Sequence, residues 1–387
     1  MLAATLFARK WNHLSTIKPL FLFSKPSSDC IMYSTAAEPT REPSIDKRSK
    51  AEYANINWDQ LRFSLTSTNY MYVMNCFKEE NFSKGFLAPF GSIELSPASG
   101  VLNYGQGLIE GLKAYRKEND QGILLFRPEL NALRMKMGAD RMCMPSPTIE
   151  QFVNAVKETV IANKRWIPPP GKGALYVRPL LMGTGPSLGV APAPEYTFLA
   201  YASPVGKYFK APMNLLVEDN LFRAVPGGTG GIKSITNYSP IYKAMSNAKA
   251  KGFSDILFLD AATGKNIEEA SAGNIFLVKG NSIITPAANG TILPGITRKS
   301  IIEIAMDFGY QVEERPVSLE EMLGAEEVFC TGTAMVVNSV ASITHRNKRM
   351  EYKTGEETVA EKLYAMLTGV QTGRIEDKMG WTVGINT

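Results

Sequence analysis

The sequence predicts an α+β fold with two domains. Its 387 residues are more than one hydrophobic core usually organises. Short apolar runs alternate with amphipathic helices over residues 53–208, and a second group of strands and helices covers residues 215–387. Residues 209–214, which include Pro212, form the predicted connection between the two domains.

In the first domain, short apolar runs predict the strands, and helix-start signals predict the helices. Strands are predicted at residues 91–96, 122–127, 176–181 and 197–202. A helix is predicted from Pro128, because proline suits the first helical position and Glu129 suits the positive end of the helix dipole. A second helix is predicted over residues 148–163, where Phe152 and Val156 fall on one face.

In the second domain, a hairpin and a helix carry the clearest local signals. The turn pair Gly280-Asn281 separates two apolar runs, 274–279 and 282–286, and so predicts a β-hairpin. Thr297 is expected to cap the helix that follows it. The predicted buried face of that helix consists of Ile301, Ile304, Ala305 and Phe308. Further strands are predicted at 255–260 and 328–334.

Residues 1–35 are predicted to be an organellar transit peptide. They contain four basic residues against one acid, several serines, and apolar residues that can share one helical face. The basic pair Arg9-Lys10 within this amphipathic segment favours the mitochondrion, with the plastid as the alternative destination. A disordered tail with a chance bias in composition is the simpler alternative. Residues 36–52 are polar, contain proline, and are predicted to be a linker.

Charge and composition exclude several classes of function. The net charge is +5, of which +3 lies in residues 1–35, so the nearly neutral body offers no nucleic-acid footprint. The apolar runs are too short to span a membrane. The four cysteines form no C-x-x-C pair, and the two histidines are His13 and His345. No metal site is therefore expected. Acid–base chemistry would have to come from Lys, Tyr, Glu or a bound cofactor.

The most distinctive stretch is a glycine-rich loop, residues 225–232, that leads to Lys233. It is not a P-loop, because Ile232 separates the lysine from the preceding glycine. It is not a dinucleotide-binding fingerprint either, because Lys233 occupies the third glycine position. Two interpretations remain from the residues alone. Lys233 is either a solvated lysine on a flexible loop or a Schiff-base lysine for pyridoxal phosphate (PLP), with Tyr238 nearby as a phenol.

The sequence resembles the branched-chain aminotransferases of the PLP fold-type IV group, and in particular their plant members. The resemblance covers nearly the whole chain after about residue 55. Its most specific motifs occur in the family order, at 102–115, 126–134, 228–238, 268–276, 293–298 and 331–334. The resemblance implies a small α/β sandwich domain, a larger barrel-like α/β domain, and a homodimer.

The resemblance also implies a cofactor site for PLP. Lys233 matches the lysine that bonds to the cofactor and moves the Cα proton, and Tyr238 matches the phenol beside the ring oxygen. Glu269 matches the carboxylate on the pyridine nitrogen, with the adjacent Glu268 as its rival. The positions that match the phosphate ligands of the family are Arg134, Ile296, Thr297 and Thr333.

A substrate pocket is implied in the same way. Arg178 matches the arginine that reads the distal carboxylate of glutamate, and Tyr104 matches a tyrosine contributed by the second subunit. The positions that match the pocket walls or the substrate-carboxylate turn are Ile109, Tyr176, Tyr208, Thr333 and Ala334. Many relatives have phenylalanine at the position of Ile109. Met335 and Asn338 stand where animal members carry a redox C-x-x-C pair.

The activity that the resemblance implies is PLP-dependent transamination. L-Leucine, L-isoleucine or L-valine would react with 2-oxoglutarate to give a branched 2-oxo acid and L-glutamate. Within the same fold, the alternatives are a D-amino acid aminotransferase and an aminodeoxychorismate-lyase-like enzyme. Outside it, the alternatives are a phosphate-binding NTPase and a non-catalytic phosphate-binding protein.

Overall fold

The computed structural model of the protein describes residues 52–118 and 122–385. The predicted transit peptide lies outside these ranges, as does all but the last residue of the predicted linker. Two β-sheets with helices packed on their faces make up the fold. Within the described ranges, no helix is long and apolar enough to cross a membrane.

Strands and helices are interspersed along the described residues. The strands are β1 (Tyr70–Phe77), β2 (Phe86–Pro89), β3 (Gly107–Ile109), β4 (Leu112–Arg116), β5 (Ile123–Phe126), β6 (Ala174–Gly183), β7 (Glu195–Val205), β8 (Met213–Glu218), β9 (Asp255–Leu259), β10 (Ile267–Ala270), β11 (Asn274–Lys279), β12 (Ser282–Thr285), β13 (Gln311–Glu314), β14 (Glu327–Gly332), β15 (Val336–His345), β16 (Lys348–Glu351) and β17 (Thr382–Ile385). The helices are α1 (Gly100–Tyr104), α2 (Pro128–Arg141), α3 (Ile149–Ala162), α4 (Tyr242–Ala250), α5 (Ile296–Asp307), α6 (Leu319–Leu323) and α7 (Val359–Thr372).

The first sheet contains β1 to β7 together with β17. Its strand order is β17-β5-β4-β6-β7-β1-β2, and β3 pairs with the end of β6. Helices α2 and α3 pack on this sheet, where Phe152 and Val156 join Leu175 and Phe198 in one apolar cluster. Thr148 starts α3 with a capping box, so the predicted beginning of this helix is confirmed.

The second sheet closes on itself. Its order is β10-β9-β8-β15-β14-β11-β12-β13, and β10 also pairs with β11 through Glu269 and Asn274. Six strands therefore form a ring: β8, β9, β10, β11, β14 and β15. Along β11, Ile275 and Leu277 belong to one apolar cluster, whereas Phe276 belongs to another that includes residues of α5 and α7. The expected barrel-like architecture is confirmed.

The final strand of the chain returns to the first sheet. Strand β17 pairs with β5, where Thr382 faces Phe126. The sheet nearest the start of the chain thus includes its C-terminal strand, while residues 206–212 connect β7 to β8. The division into domains at 209–214 stays a prediction.

Most of the predicted elements are confirmed. The strand predictions at 122–127, 176–181, 197–202, 255–260 and 328–334 fall on β5, β6, β7, β9 and β14. The predicted hairpin is β11–β12, in which Lys279 pairs with Ser282 across the Gly280-Asn281 turn. Helix α2 begins at Pro128 as expected.

Three local predictions are wrong. Residues 91–96 form a loop after β2 rather than a strand. Gly295, not Thr297, is the N-cap of α5, so Thr297 is the second residue of that helix. Phe308 is the C-cap of α5 and 42% exposed, because the helical periodicity that would bury it ends at Asp307.

Candidate active site

The loop that carries Lys233 is attached to the first sheet. The amide of Ile109 in β3 donates to the Lys233 carbonyl at 3.1 Å, and Leu108 forms an isolated bridge with Ser234. Asn237 also holds the loop, because its side-chain amide donates to the carbonyls of Thr229 (2.8 Å) and Ile232 (2.9 Å). This network argues against a solvated lysine on a flexible loop.

The glycines of this loop are required by close packing. A Cβ atom on Gly230 would lie 2.4 Å from the Thr291 carbonyl oxygen, and one on Gly231 would lie 2.6 Å from that of Gly290. Only residues without a side chain allow the two backbones to approach this closely. The glycines therefore let the loop that precedes Lys233 pack closely against residues 290–291.

Lys233 and Tyr238 are in direct contact in the candidate site. The Lys233 amine donates to the Tyr238 hydroxyl at 3.0 Å, and both side chains are half-buried. The two residues flank a short 3₁₀ turn, Ile235–Asn237, which returns the phenol to the amine. An amine and a phenol at this distance can share a proton and contact one small ring.

Glu269 lies on β10 with its carboxylate buried. Its Oε1 accepts from the Leu293 amide at 3.0 Å, and its Oε2 accepts from the Asn274 side chain at 3.0 Å. Arg223 forms an ion pair with the same carboxylate. Burial raises the pKa of Glu269, while Arg223, the Leu293 amide and Lys233 oppose that rise.

Glu268, the rival carboxylate, is also buried. Its Oε2 makes no hydrogen bond within the part of the chain that the structure describes. Burial raises the pKa of Glu268, and the repulsion from Glu269 adds to the rise, against Thr291 and Arg223. Arg223 thus opposes the rise in pKa at both glutamates, but its ion pair is with Glu269.

Arg134 is buried in α2 and paired with Glu110. Its Nε and Nη2 both donate to that carboxylate at 2.7 Å, and its Nη1 donates to the Pro294 carbonyl at 3.2 Å. Burial alone would lower the pKa of Arg134, but Glu110 raises it above its ordinary value. A permanent positive charge therefore lies beside the start of α5.

The start of α5 is suited to an anion. Gly295 caps the helix without a side-chain hydrogen bond, and Ile296 and Thr297 are its first two residues. The first amides of a helix have no acceptor within it and carry a partial positive charge. Thr333, in the turn after β14, donates to the Gly111 carbonyl at 3.2 Å.

Tyr176 and Arg178 lie two residues apart on β6. Arg178 Nη2 donates to the Tyr176 hydroxyl at 3.4 Å, and the guanidinium lies 5.3 Å from that ring. Arg178 Nε is buried and finds no hydrogen-bond partner among the described residues. Burial alone would lower the pKa of Arg178, but the phenols of Tyr176, Tyr201 and Tyr238 raise it. The cation therefore keeps an unused donor.

Aromatic residues continue the wall next to Tyr176. The ring of Phe63 packs edge-on against Tyr176 at 5.1 Å and against Tyr208 at 4.9 Å. Gly111 allows Tyr176 to come close, because a Cβ atom there would lie 1.9 Å from its hydroxyl oxygen. The three rings form an aromatic surface, and Arg178 lies beside it at Tyr176.

The turn at Thr333-Ala334 is held by β4. The amine of Lys113 donates to the Ala334 carbonyl at 2.9 Å. Burial lowers the pKa of Lys113 to about 8. The side chain of Thr333 and the carbonyl of Ala334 thus both contact the segment from Gly111 to Lys113.

Tyr104 lies apart from this group. It is the last residue of α1, 39% exposed, and its hydroxyl donates to the Leu188 carbonyl. Leu188 and Val190 are 94% and 92% exposed on the connection between β6 and β7. The structure therefore places Tyr104 on an open surface of this chain.

Sequence reasoning missed four residues of the site. Glu110, Lys113 and Arg223 each contact a predicted residue, and Phe63 packs on two of them. Glu110 and Lys113 stood within a recognised motif but were given no role. Arg223 and Phe63 lay outside the motifs, and only their contacts in the fold reveal them.

The residues present fit PLP. A half-buried amine lies beside a phenol, a buried carboxylate can face a ring nitrogen, and the first amides of α5, next to Arg134, can face a phosphate. Lys233 lies close enough to Glu269 to affect its pKa. Such a donor set matches one aromatic cofactor with a single phosphate.

Comparison with curated proteins identifies similar chains. The branched-chain-amino-acid aminotransferase 2 (chloroplastic) of Arabidopsis thaliana is 57% identical over 373 residues, 96% of this chain and 95% of its own. The mitochondrial branched-chain amino acid aminotransferase 1 of Humulus lupulus is 62% identical over 342 residues, 88% of this chain and 87% of its own. A methionine aminotransferase of Arabidopsis thaliana is 55% identical over 350 residues, 90% of this chain and 99% of its own.

Solved structures of aminotransferases are also similar to this chain. The T.th. branched-chain amino acid aminotransferase with pyridoxamine 5'-phosphate superposes with a TM-score of 0.70 at 28% identity, covering 83% of this chain and 100% of its own. The same enzyme complexed with N-(5'-phosphopyridoxyl)-L-glutamate gives the same values. A family model described as amino-transferase class IV matches residues 107–343.

The predicted enzyme class and cofactor are confirmed. Class IV aminotransferases are PLP enzymes, and the T.th. relative was solved with the amine form of that cofactor. The family model spans the residues from β3 to β15, which include Lys233, Tyr238 and Glu269. The chain therefore belongs to the class IV aminotransferase family.

Proposed function

We propose that this enzyme transfers the amino group of L-leucine, L-isoleucine or L-valine to 2-oxoglutarate. The proposal rests on Arg178. Its buried Nε has no hydrogen-bond partner among the described residues, and its guanidinium lies next to Tyr176, which packs with Phe63 and Tyr208 in an aromatic wall. An apolar wall accepts an aliphatic side chain, and the guanidinium accepts the distal carboxylate of glutamate or 2-oxoglutarate. The names of the plant relatives and the glutamate adduct solved with the T.th. enzyme support both halves of this reaction.

Lys233 is the proposed catalytic base. Bound PLP supplies an electron sink that makes the Cα proton of the substrate acidic. The amine of Lys233 would take that proton from Cα and deliver it to C4′ of the cofactor, and Tyr238, 3.0 Å away, would orient the amine. The backbone hydrogen bond from Ile109 to Lys233 limits the movement of the base relative to β3.

Glu269 and the residues around α5 are proposed to hold the cofactor. An ionised Glu269 next to the ring nitrogen favours its protonated form. The amides of Ile296 and Thr297, the hydroxyl of Thr333 and the charge of Arg134 would bind the phosphate. The turn at Thr333-Ala334 would receive the α-carboxylate of the substrate.

A homodimer belongs to the same proposal. Tyr104, Leu188 and Val190 expose apolar side chains on one open region, and an exposed apolar patch of this kind suits a protein interface. In the dimer, Tyr104 of one subunit would complete the substrate pocket of the other. Light scattering during gel filtration should give twice the mass of the chain. A monomer that is active at the same concentration would contradict the proposal.

The proposed location is the mitochondrion, with the plastid as the alternative. Relatives of this chain are named for both organelles. Residues 1–40 fused to a fluorescent reporter should direct it to mitochondria. Import into plastids would favour the alternative, and a reporter that stays in the cytosol would contradict both.

Methionine is a second candidate substrate. One relative, 55% identical over 90% of this chain, is named a methionine aminotransferase. An unbranched thioether of similar size can occupy the same apolar wall. The preferred substrate therefore has to be measured rather than inferred from identity.

One assay tests these substrates together. The purified protein is incubated with 2-oxoglutarate and L-leucine, L-methionine or D-alanine, and glutamate formation is followed. We expect the highest kcat/KM with a branched L-amino acid. A higher value with L-methionine would replace the proposed substrate, and turnover of D-alanine alone would favour a D-amino acid aminotransferase.

A further inference from the structure

We propose that Arg223 is a positioning residue that keeps Glu269 ionised and directs it toward the ring nitrogen of the cofactor. Arg223 was not among the predicted site residues, and it follows β8 in the chain. The proposal rests on the proposed role of Glu269. It assigns to Arg223 no contact with substrate or cofactor.

Arg223 joins three segments of the site. Its side chain is buried, and its Nη2 pairs with Glu269 Oε1. The same nitrogen donates to the carbonyl of Gly230 at 3.1 Å and to that of Thr291 at 2.7 Å. Gly230 precedes Lys233 in the glycine-rich loop, and Thr291 leads into the start of α5. One guanidinium therefore aligns the base, the carboxylate and the phosphate-binding helix.

The contacts of Glu269 distinguish its two oxygens. Oε1 accepts from both Arg223 and the Leu293 amide, whereas Oε2 accepts from Asn274. A carboxylate oxygen has two lone pairs, so Oε2 retains an acceptor for a protonated ring nitrogen. Arg223 holds the carboxylate in the orientation that leaves this acceptor open.

The charge of Arg223 is needed because two successive residues of β10 carry buried carboxyl groups. Glu268 and Glu269 are adjacent in β10, and burial raises the pKa of each. Arg223 opposes the rise at both residues. Without this cation, the buried pair would bind a proton more readily, and a neutral Glu269 could no longer favour a protonated ring nitrogen.

The test compares two ligands that differ at one ring atom. The full-length chain is loaded with PLP or with an analogue in which carbon replaces the ring nitrogen. The dissociation constant of each is measured by equilibrium dialysis. We expect wild type to hold PLP more tightly than the analogue, and Arg223→Gln to reduce that preference at least tenfold. The analogue cannot respond to the charge of Glu269, so it reports any loss that is merely structural.

Arg127→Gln is the matched control. Arg127 is a largely buried arginine paired with Glu303, outside the proposed ring-nitrogen contact. Its loss should leave the preference for PLP within about twofold, since charge pairs act locally. Arg223→Lys serves if Arg223→Gln does not fold. Because the lysine side chain is one bond shorter, its ammonium cannot take the position of Nη2 without moving away from the three oxygens, and it should reduce the preference at least threefold.

Two outcomes would overturn the proposal, and they are distinguishable. If wild type prefers PLP but the Arg223 variants weaken both ligands by the same factor, Arg223 is only a structural residue. If the Arg223 variants weaken neither ligand, Arg223 likewise does not act on the ring nitrogen through Glu269. If the two ligands have equal dissociation constants in wild type, Glu269 does not interact with the ring nitrogen. The proposed cofactor geometry then fails together with the role of Arg223.

Discussion

The amine of Lys233 lies 3.0 Å from the hydroxyl of Tyr238, at the point where the glycine-rich loop joins the first sheet. Two hydrogen bonds fix this pair. The backbone amide of Ile109 donates to the carbonyl of Lys233, and the side-chain amide of Asn237 donates to that of Ile232. Hydrogen bonds therefore hold the segment that carries Lys233 in place.

Replacing Arg178 by methionine should separate the two substrates of the reaction. The variant should lose about 100-fold or more in kcat/KM for 2-oxoglutarate, because a distal carboxylate would then be buried without a partner. For L-leucine, kcat/KM should change by less than about fivefold, since an aliphatic side chain does not need the cation. Half-reactions followed by absorbance give both constants. Equal losses for both substrates would contradict the proposed role of Arg178.

Gly111→Ala should disturb the pocket wall more than the fold. The added Cβ would lie 1.9 Å from the hydroxyl oxygen of Tyr176, so the ring has to leave its position, in which it contacts Arg178. Crowding of this kind costs about 1–3 kcal/mol of stability. We expect kcat/KM for L-leucine to fall at least about tenfold, because a misplaced wall lowers transition-state binding.

Gly91→Ala is the matched control for this substitution. A Cβ at Gly91 has no neighbour within 4 Å. The control should therefore keep the wild-type kcat/KM and the wild-type free energy of unfolding to within about 0.5 kcal/mol. If Gly111→Ala behaves like the control, Tyr176 does not form the wall that the structure indicates.

Glu110→Gln should destabilise the chain by about 3–5 kcal/mol, because it leaves the buried cation of Arg134 without its counter-ion. Glu303→Gln is the control, since the Arg127–Glu303 pair is more exposed and should cost about 1 kcal/mol or less. Urea unfolding of the cofactor-free chain measures both. A similar, small loss for the two variants would show that the Arg134–Glu110 pair is not desolvated as described.

Lys113 should make stability depend on pH. Its pKa is lowered from 10.5 to about 8 in the folded chain, so the unfolded chain binds this proton more tightly. The free energy of unfolding should therefore rise with pH from about 8 to 10.5. Relative to Lys113→Met, wild type should gain about 2–3 kcal/mol between pH 7 and pH 10 in urea unfolding. A difference that stays constant would show that Lys113 is solvated.

Contiguous motifs were readable from the sequence, whereas contacts between distant segments were not. Lys233 and Tyr238 stand within one short stretch, so their proximity followed from the chain itself. Arg134 was recognised, but its partner Glu110 lies on the first sheet near β4 and has no local signal. Arg223 follows β8 and contacts Glu269 on β10, two strands away in the second sheet, and no local pattern encodes this contact.

The incorrect local predictions have physical causes. A threonine before an apolar helix usually caps it, but here Gly295 takes the capping position. A Cβ there would lie 2.1 Å from the side-chain oxygen of Asn274, so this contact requires glycine. Residues 91–96 have strand-like composition, yet a strand needs a partner, and the structure pairs β2 with β1 and leaves these residues in a loop.

Borohydride reduction of the purified protein determines whether Lys233 carries the cofactor. Wild type should be yellow, and reduction followed by peptide mass spectrometry should find the reduced phosphopyridoxyl group on Lys233. Lys233→Ala should carry no such group and lose glutamate formation from L-leucine, whereas Lys243→Ala, on α4, should behave as wild type. A colourless wild-type protein, or a label on a lysine other than Lys233, would contradict the account.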